Sequence, residues 1–215
     1  MRVAIIGTGN VGAVLAGTLR RAGHEVVLAA RDAAKTRQLA EQVDGEAAET
    51  PSDAVGAADV TILAVPYGAL AEVAGDIREA AAGKVVIDLT NPGPAIESGA
   101  SAAEQLAEML PGAHVAKALN TLFSSFMADP DLRQQRVDAL FATDSEEARD
   151  LLAELLASLG FRPLHVGGLT AARQMEAMAW LNIQLQLRHG GDWSSTFVLL
   201  GAPKDAVMER ALITN

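Results

Sequence analysis

The start of the chain places three glycines directly after a short apolar run. The run Arg2–Ile6 has the composition of a buried strand, and the segment Gly7-Thr8-Gly9-Asn10-Val11-Gly12 that follows leads into a helical pattern. In a dinucleotide-binding turn, the first glycine permits the tight turn, the second lets the backbone approach a pyrophosphate, and the third allows close helix–strand packing. The helix N-terminus then offers unpaired N–H groups to the phosphates. The order of elements favours this interpretation over a purely structural glycine turn.

The residue after the second predicted strand indicates which dinucleotide is bound. About 20 residues past the glycines, an NAD site carries an Asp or Glu that bonds the ribose 2′-OH. This chain has Arg31 there, and Lys35 follows one helical turn later. A guanidinium can bind a 2′-phosphate with two hydrogen bonds and stack on the adenine. The pattern favours NADP(H), although both cations also fit a solvated surface. Asp32 fits either a helix cap or a ligand of a 2′-OH.

Composition indicates a globular protein and excludes several classes of function. The chain has 215 residues, of which 50% are hydrophobic, enough for one sizeable domain or for a domain with a small appendage. The net charge of −10 disfavours nucleic acid and anionic membranes as partners. With no cysteine there is no thiol chemistry, and no dense cluster of metal-ligating residues occurs, so no metal site is expected. No signal segment or membrane span is expected, which fits a cytoplasmic location.

Strands and helices alternate through most of the sequence. The predicted strands are Arg2–Ile6, Glu25–Ala30, Glu46–Glu49, Asp59–Val65, Lys84–Leu89, His114–Leu119, Val137–Ala142 and Arg162–Val166. The predicted helices are Val11–Arg21, Ala33–Gln42, one that starts within residues 50–53, Ala69–Ala81, Ser101–Met109, Ser145–Ser158 and Thr170–Arg188; the stretch after Asn120 reads as irregular. Continuous apolar runs are typical of parallel strands covered on both faces. The pattern predicts an α/β, Rossmann-like, doubly wound and mostly parallel sheet with a small helical C-terminal segment.

This organisation divides the chain into an NADP-binding domain, residues 1–166, and a C-terminal segment, residues 167–215. Ligands of a doubly wound sheet bind outside the carboxyl ends of its strands. The loops at those ends supply the remaining candidate cofactor ligands, which are Val65, Pro66, Tyr67, Asn91, Pro92 and Asn120. Tyr67 is a candidate to cover the ribose or adenine, or else a surface tyrosine. Asn91 and Asn120 fit two interpretations equally well: contacts to the cofactor's carboxamide or ribose, or a role in forming turns.

Direct hydride transfer between two bound rings requires positioning more than it requires an acid or base. The sequence has no serine elbow, P-loop lysine or HExxH motif that would indicate other chemistry. The catalytic residues remain unknown, and the weak candidates are His189, which follows the long C-terminal helix, and Tyr67.

Taken together, these segments resemble the NADPH-dependent F-420 reductase family, in which the nicotinamide exchanges hydride with an 8-hydroxy-5-deazaflavin. The resemblance rests on the glycine segment, Arg31, Val65-Pro66, Asp88-Leu89-Thr90-Asn91-Pro92 and Lys117-Ala118-Leu119-Asn120-Thr121, and it extends through Leu164–Arg173 into the long helix. Residues 111–115 and 117–121 are also similar to the cytoplasmic reductase domain of six-transmembrane metalloreductases. The resemblance implies an NADP(H)-dependent oxidoreductase, commonly dimeric, with coenzyme F-420 or a flavin as its small-molecule acceptor. The chain departs from the family over Leu187–Thr196, where it is polar, and this segment is expected to lie near the acceptor.

Two other functions fit the same nucleotide site. One is a small C=N or C=O reductase of the pyrroline-carboxylate-reductase type, which needs a proton donor such as Tyr67 or His189. The other is a protein that senses NADP(H) and carries out no reaction. For the oligomeric state, the helix Thr170–Arg188 carries more apolar surface than one core-facing stripe needs, which predicts a homodimer. The alternative is that the tail Thr196–Leu200 of the same chain covers this helix.

Overall fold

All the strands of the computed structural model join one sheet, and the structure describes residues 1–93, 99–131 and 136–201. The strands are β1 (Arg2–Ile6), β2 (Glu25–Ala29), β3 (Glu46–Ala47), β4 (Val60–Leu63), β5 (Val85–Asp88), β6 (His114–Ala118), β7 (Asp138–Thr143) and β8 (Arg162–His165). The α-helices are α1 (Asn10–Arg21), α2 (Ala33–Gln42), α3 (Pro51–Ala57), α4 (Leu70–Ile77), α5 (Ala102–Met109), α6 (Ser124–Ala128), α7 (Glu146–Ser158) and α8 (Ala172–His189). Short 3-10 turns at Tyr67–Ala69 and Leu169–Ala171 precede α4 and α8.

The strand order confirms the predicted fold class. The order across the sheet is β3-β2-β1-β4-β5-β6-β7-β8, and every neighbouring pair is parallel except β6 and β7. The chain therefore moves outward from β1 to β3 and returns to β4 on the other side of β1. Such a reversal creates a crevice at the carboxyl ends of β1 and β4, where doubly wound proteins bind ligands.

The sheet is covered on both faces, as the apolar runs predict. In β1, Val3 and Ile5 belong to one hydrophobic cluster, whereas Ala4 and Ile6 belong to the other. Alternating side chains of a strand point to opposite faces, so both faces of β1 are buried by helices. No helix in the described part of the chain is long and apolar enough to cross a membrane.

Apart from ends shifted by one or two residues, two elements differ from the sequence-based expectation. The helix predicted over Ala69–Ala81 begins as a 3-10 turn and its α-helical part ends at Ile77. The alanines that follow fit a turn as well as a helix, so the sequence carries no stop signal before Gly83. The stretch after Asn120, predicted to be irregular, contains the short helix α6. Burial of Phe126 and Met127 accompanies this helix, which has no side-chain cap, so local sequence signals did not reveal it.

A buried ion cluster fastens the C-terminal helix to the sheet. The Nζ atom of Lys117 on β6 lies 2.8 Å from Oδ2 of Asp88 on β5 and 2.7 Å from Oε1 of Glu176 on α8. Lys117 also donates to the backbone carbonyl of Thr90. Its ammonium group and both carboxylates are buried. Burial raises the pKa of Glu176, and the charge of Lys117 opposes that shift. Buried charges persist only when they are paired in this way.

A second ion pair joins α8 to α5 near the surface. Arg173 donates to both carboxylate oxygens of Glu104, at 2.8 and 2.7 Å. Glu104 also closes a capping box with Ser101 at the start of α5. The hydrogen bonds from Arg173 are the main cause that lowers the pKa of Glu104 to about 2. Both ends of this contact belong to elements that frame the carboxyl edge of the sheet, so the pair supports the placement of α8.

Candidate active site

A cleft of about 370 Å³ opens at the carboxyl ends of β1, β2 and β4. It brings together most of the ligands predicted for the phosphate and adenine side of a dinucleotide. Its walls include Gly7, Thr8, Gly9, Arg31, Lys35, Val65 and Pro66. The switch in strand order places these loops side by side, although they lie far apart in the sequence. The volume is in the range of small-molecule pockets.

The three glycines of the turn have different roles. A Cβ atom on Gly7, whose φ is +114°, would lie 2.3 Å from the carbonyl oxygen of Ala64, and one on Gly12 would lie 1.9 Å from the carbonyl oxygen of Gly7. The fold itself therefore requires these two glycines. A Cβ on Gly9 would meet no atom within 4 Å. Gly9 leaves room for a ligand rather than for another part of the chain.

The end of α1 at this turn fits a pyrophosphate. Gly9 occupies the N-cap position with no side-chain hydrogen bond, and the first turn of α1 contains no acidic residue. Its N–H groups and the positive end of the helix dipole therefore face the open space above Gly9 without a competing carboxylate.

The candidate 2′-phosphate ligands lie at the start of α2. Arg31 and Lys35 line the cleft, and both are exposed. Asp32 accepts a hydrogen bond from the backbone N–H of Lys35 at 3.0 Å, so its carboxylate caps α2. Glu72 and Asp76 of α4 also line the cleft. Arg31 and Lys35 are therefore the two cationic side chains among the described residues that line this cleft.

A smaller cavity of about 80 Å³ lies where the loops after β5 and β6 meet α8. It is lined by Asn91, Asn120, Thr121, Leu122, Phe123, Ala179, Asn182 and Ile183. Asn91 donates to the carbonyl oxygen of Asn120 at 3.1 Å, and the Asn120 amide donates to Oδ1 of Asn91 at 2.9 Å. Oδ1 of Asn120 is buried and has no partner in the described part of the chain. It is suited to accept a hydrogen bond from a ligand amide such as a carboxamide.

A hydrogen bond from Asn10 joins the glycine turn to the segment that follows the smaller cavity. The side-chain amide of Asn10 donates to Oγ of Ser124 at 3.0 Å, and Ser124 follows Phe123 of the smaller cavity. A ligand lying along this edge from Arg31 passes over the glycine turn before it reaches the asparagine pair. Pro92 follows Asn91 and is half-buried; Val11 lies in the first turn of α1 and is also half-buried.

The two candidate acid–base residues line neither of these cavities. The hydroxyl of Tyr67 donates to Oε1 of Gln105 on α5 at 2.8 Å, and its ring packs against the hydrophobic core. His189 is the exposed last residue of α8, before Gly190 in the left-handed conformation with φ +62°. A chemical role for either residue stays a prediction.

Sequence reasoning missed the buried charges behind the site. Lys117 was noted only for its place in a resemblance, and Glu176 lies among apolar residues of α8 that read as core. The available signal was a lysine in the middle of an apolar strand, because such a charge has to find a buried partner. By bonding the carbonyl of Thr90, Lys117 fixes the loop that carries Asn91.

The doubly wound sheet, the glycine turn and the cleft beside it are the features of a dinucleotide-binding protein. Residues 2–92 match the family described as "NADP oxidoreductase coenzyme F420-dependent". Over 212 residues the chain is 35% identical to the F420-dependent NADP reductase of Methanothermobacter marburgensis, covering 88% of this chain and 94% of that protein. The chain belongs to the F420-dependent NADP reductase family, and its cofactor is NADP(H).

Two further comparisons agree with this assignment. A solved structure from Arthrobacter sp. FB24, described as a candidate F420-dependent NADP-reductase, superposes with a TM-score of 0.84 at 27% identity, covering 93% of this chain and all of that one. The metalloreductase STEAP3 of Rattus norvegicus is 30% identical over 182 residues, which is 82% of this chain but 36% of that protein. The predicted similarity to metalloreductases is therefore confirmed.

The different surroundings of the glycines lead to a first prediction. Gly9→Ala should fold normally but weaken both NADPH and NADH by about tenfold or more, or at least about 1.4 kcal/mol, because the methyl group occupies ligand space. Calorimetric titration measures both affinities. Gly12→Ala is the contrasting variant, and it should lose thermal stability because of its contact with Gly7. Unchanged cofactor affinity in Gly9→Ala would place the phosphates elsewhere.

The second prediction concerns cofactor choice. Arg31→Ala should weaken NADPH by about ten- to a hundredfold, because a charge-assisted hydrogen bond contributes about 1.5–3 kcal/mol, and NADH binding should barely change. Arg37→Ala is the matched control, since Arg37 is exposed on α2, the helix that begins just after Arg31, and does not line the cleft. Equal losses for the two cofactors in Arg31→Ala would show that Arg31 does not contact the 2′-phosphate.

Proposed function

We propose that this chain transfers hydride between NADP(H) and a deazaflavin of the coenzyme F-420 type, with flavins as chemically related acceptors. When bound, the nicotinamide supplies or receives the hydride. The chain's own residues bind and orient the two rings. Relatives described as F420-dependent NADP reductases match 88% and 93% of this chain.

The composition of the smaller cavity carries the proposal. Its eight lining residues are amides, one threonine and apolar side chains, and none of them titrates near neutral pH. Reduction of an isolated C=N or C=O bond develops charge on one atom and calls for a donor within hydrogen-bond reach. A deazaflavin spreads that charge over a conjugated ring system, so it needs less help from an acid. The lining of the smaller cavity, which contains no acid, therefore favours a deazaflavin over an imine as the acceptor.

Within this proposal, each group of site residues has a binding role. The glycine turn holds the pyrophosphate, and Arg31 with Lys35 holds the 2′-phosphate. Val65 and Pro66 form a wall of the cleft. Asn91 and Asn120 orient the carboxamide. The division into a cofactor domain, residues 1–166, and a segment that completes the acceptor site, residues 167–215, belongs to the same proposal, as does a cytoplasmic location.

An acceptor screen tests the proposed reaction. NADPH oxidation is followed by its absorbance with 8-hydroxy-5-deazariboflavin, FMN, riboflavin, a ferric chelate and a cyclic imine. The deazaflavin should give the highest kcat/KM, with flavins second. Faster turnover of the imine would favour the C=N reductase. NADPH binding without oxidation by any of these acceptors would support a sensing protein instead.

A homodimer formed through α8 is the second part of the proposal. Leu181, Leu185 and Leu187 are 53%, 42% and 60% exposed. In the described part of the tail, Ser195 bonds Asn182 and Gln186, and Trp193 also bonds Gln186. The three leucines stay exposed beside these described residues. Exposed apolar side chains concentrated on one helix are characteristic of an interface.

Sedimentation tests the dimer. The wild-type chain, with a mass of 22.3 kDa, should sediment at about twice that mass at micromolar concentration. Leu181→Glu should shift it to the monomer, because an unpaired carboxylate would have to enter the apolar interface. Gln184→Glu adds the same charge at another exposed position of α8 and should remain dimeric. A wild-type monomer would contradict the interface.

A further inference from the structure

We infer that Trp193 is the platform on which the planar rings of the acceptor stack, and this inference rests on the proposed function. It assigns to one residue a specificity for flat, conjugated acceptors. Trp193 lies in the polar segment that follows α8, where the chain departs from the family it resembles.

The first observation is that Trp193 is exposed but held in place. Its side chain is 44% exposed. Its backbone N–H donates to Oε1 of Gln186 at 2.9 Å, and its carbonyl accepts from Oγ of Ser125 at 2.9 Å. The ring stands edge-to-face on Phe123, with centroids 5.3 Å apart and an angle of 84°. A tryptophan fixed at three points and still open to solvent presents a ready surface for stacking.

The second observation is backbone strain at the same residue. Trp193 has a φ of +56°, in the left-handed region. A residue with a Cβ is disfavoured in this conformation, and such outliers cluster at ligand sites because the surrounding structure holds them there. The contacts from Gln186 and Ser125 supply that restraint.

The third observation is the place of Trp193 relative to the cofactor cleft. Phe123, on which the indole rests, lines the smaller cavity beside the asparagine pair. The next residue, Ser124, bonds Asn10 of the glycine turn. Trp193 is thus one side chain removed from the cavity proposed for the nicotinamide carboxamide.

The smaller cavity, as the described residues form it, cannot enclose the acceptor rings. A space of about 80 Å³ is far smaller than the roughly 300–1,000 Å³ typical of pockets for a drug-sized ligand. A three-ring acceptor does not fit inside it, and Phe123 and Trp193 provide aromatic surface at its border. Stacking on such a surface tolerates different flat ligands, which fits both deazaflavins and flavins.

The first experiment compares acceptor kinetics in two variants. Trp193→Ala should raise the KM for 8-hydroxy-5-deazariboflavin by about fivefold to a hundredfold, with a smaller change in kcat. NADPH affinity, measured by calorimetry, should stay within about twofold because Trp193 lies outside the cofactor cleft. Trp193→Phe should recover much of the loss, whereas a structural role would make both variants equally poor and lower their melting temperature. An unchanged KM in Trp193→Ala would overturn the inference.

The second experiment reads binding without turnover. The chain has two tryptophans, so Trp180→Phe leaves Trp193 as the only one. Its fluorescence, with NADP⁺ present, should be quenched saturably by riboflavin. In Trp193→Phe, the remaining Trp180, half-buried on α8, should respond much less.

The two experiments separate the inference from the proposed function. If the wild type oxidises no NADPH with any flavin or deazaflavin, hydride transfer fails, and the quenching result alone decides whether Trp193 binds flat ligands. If the wild type turns over and Trp193→Ala matches it in KM, the function stands and the platform is wrong. Absence of quenching in Trp180→Phe also overturns the platform.

Discussion

The buried contact of Lys117 with two carboxylates holds the candidate site together. One ammonium joins β5 through Asp88, α8 through Glu176 and the loop after β5 through the carbonyl of Thr90. A buried ion pair that loses one partner is typically destabilised by about 3–5 kcal/mol, so each of the three elements depends on the other two. The asparagine pair and the wall of the smaller cavity follow from this arrangement, because one loop carries Asn91 and α8 carries Ala179, Asn182 and Ile183.

The glycine turn and the cluster around Lys117 shape the carboxyl edge of the sheet in different ways. At the turn, the backbone approaches itself so closely that Gly7 and Gly12 cannot carry a Cβ atom, whereas the space over Gly9 is open. At the cluster, the buried charges of Lys117, Asp88 and Glu176 hold α8 against β5 and β6, although α8 lies far along the sequence. The first arrangement leaves open space at the start of α1, and the second positions the loop and the helix that line the smaller cavity. Binding energy spent along the whole cofactor can then orient the reacting end.

The sequence predicted those features that depend on neighbouring residues along the chain. The alternation of elements gave the fold class, because apolar runs and helix caps such as Asp32 and Ser101 are short-range signals. The cofactor turn was recognisable for the same reason. The walls of the smaller cavity were not, since Phe123, Asn182 and Ile183 meet only through tertiary packing. Leu119, which precedes Asn120, is a further example, because its φ is +58°. Leucine rarely adopts this left-handed conformation, so the sequence does not predict it.

Both edges of the sheet are unsuited to recruiting another strand. At one edge, β3 has only the two residues Glu46 and Ala47, and at the other edge β8 contains Pro163, which has no N–H to donate. Short edges and prolines of this kind protect natural sheets from edge-to-edge aggregation. The carbonyl of Leu199 also accepts from Arg162 at the start of β8. Association of two copies by sheet extension is therefore disfavoured, which leaves contacts between side chains as the route open to a partner.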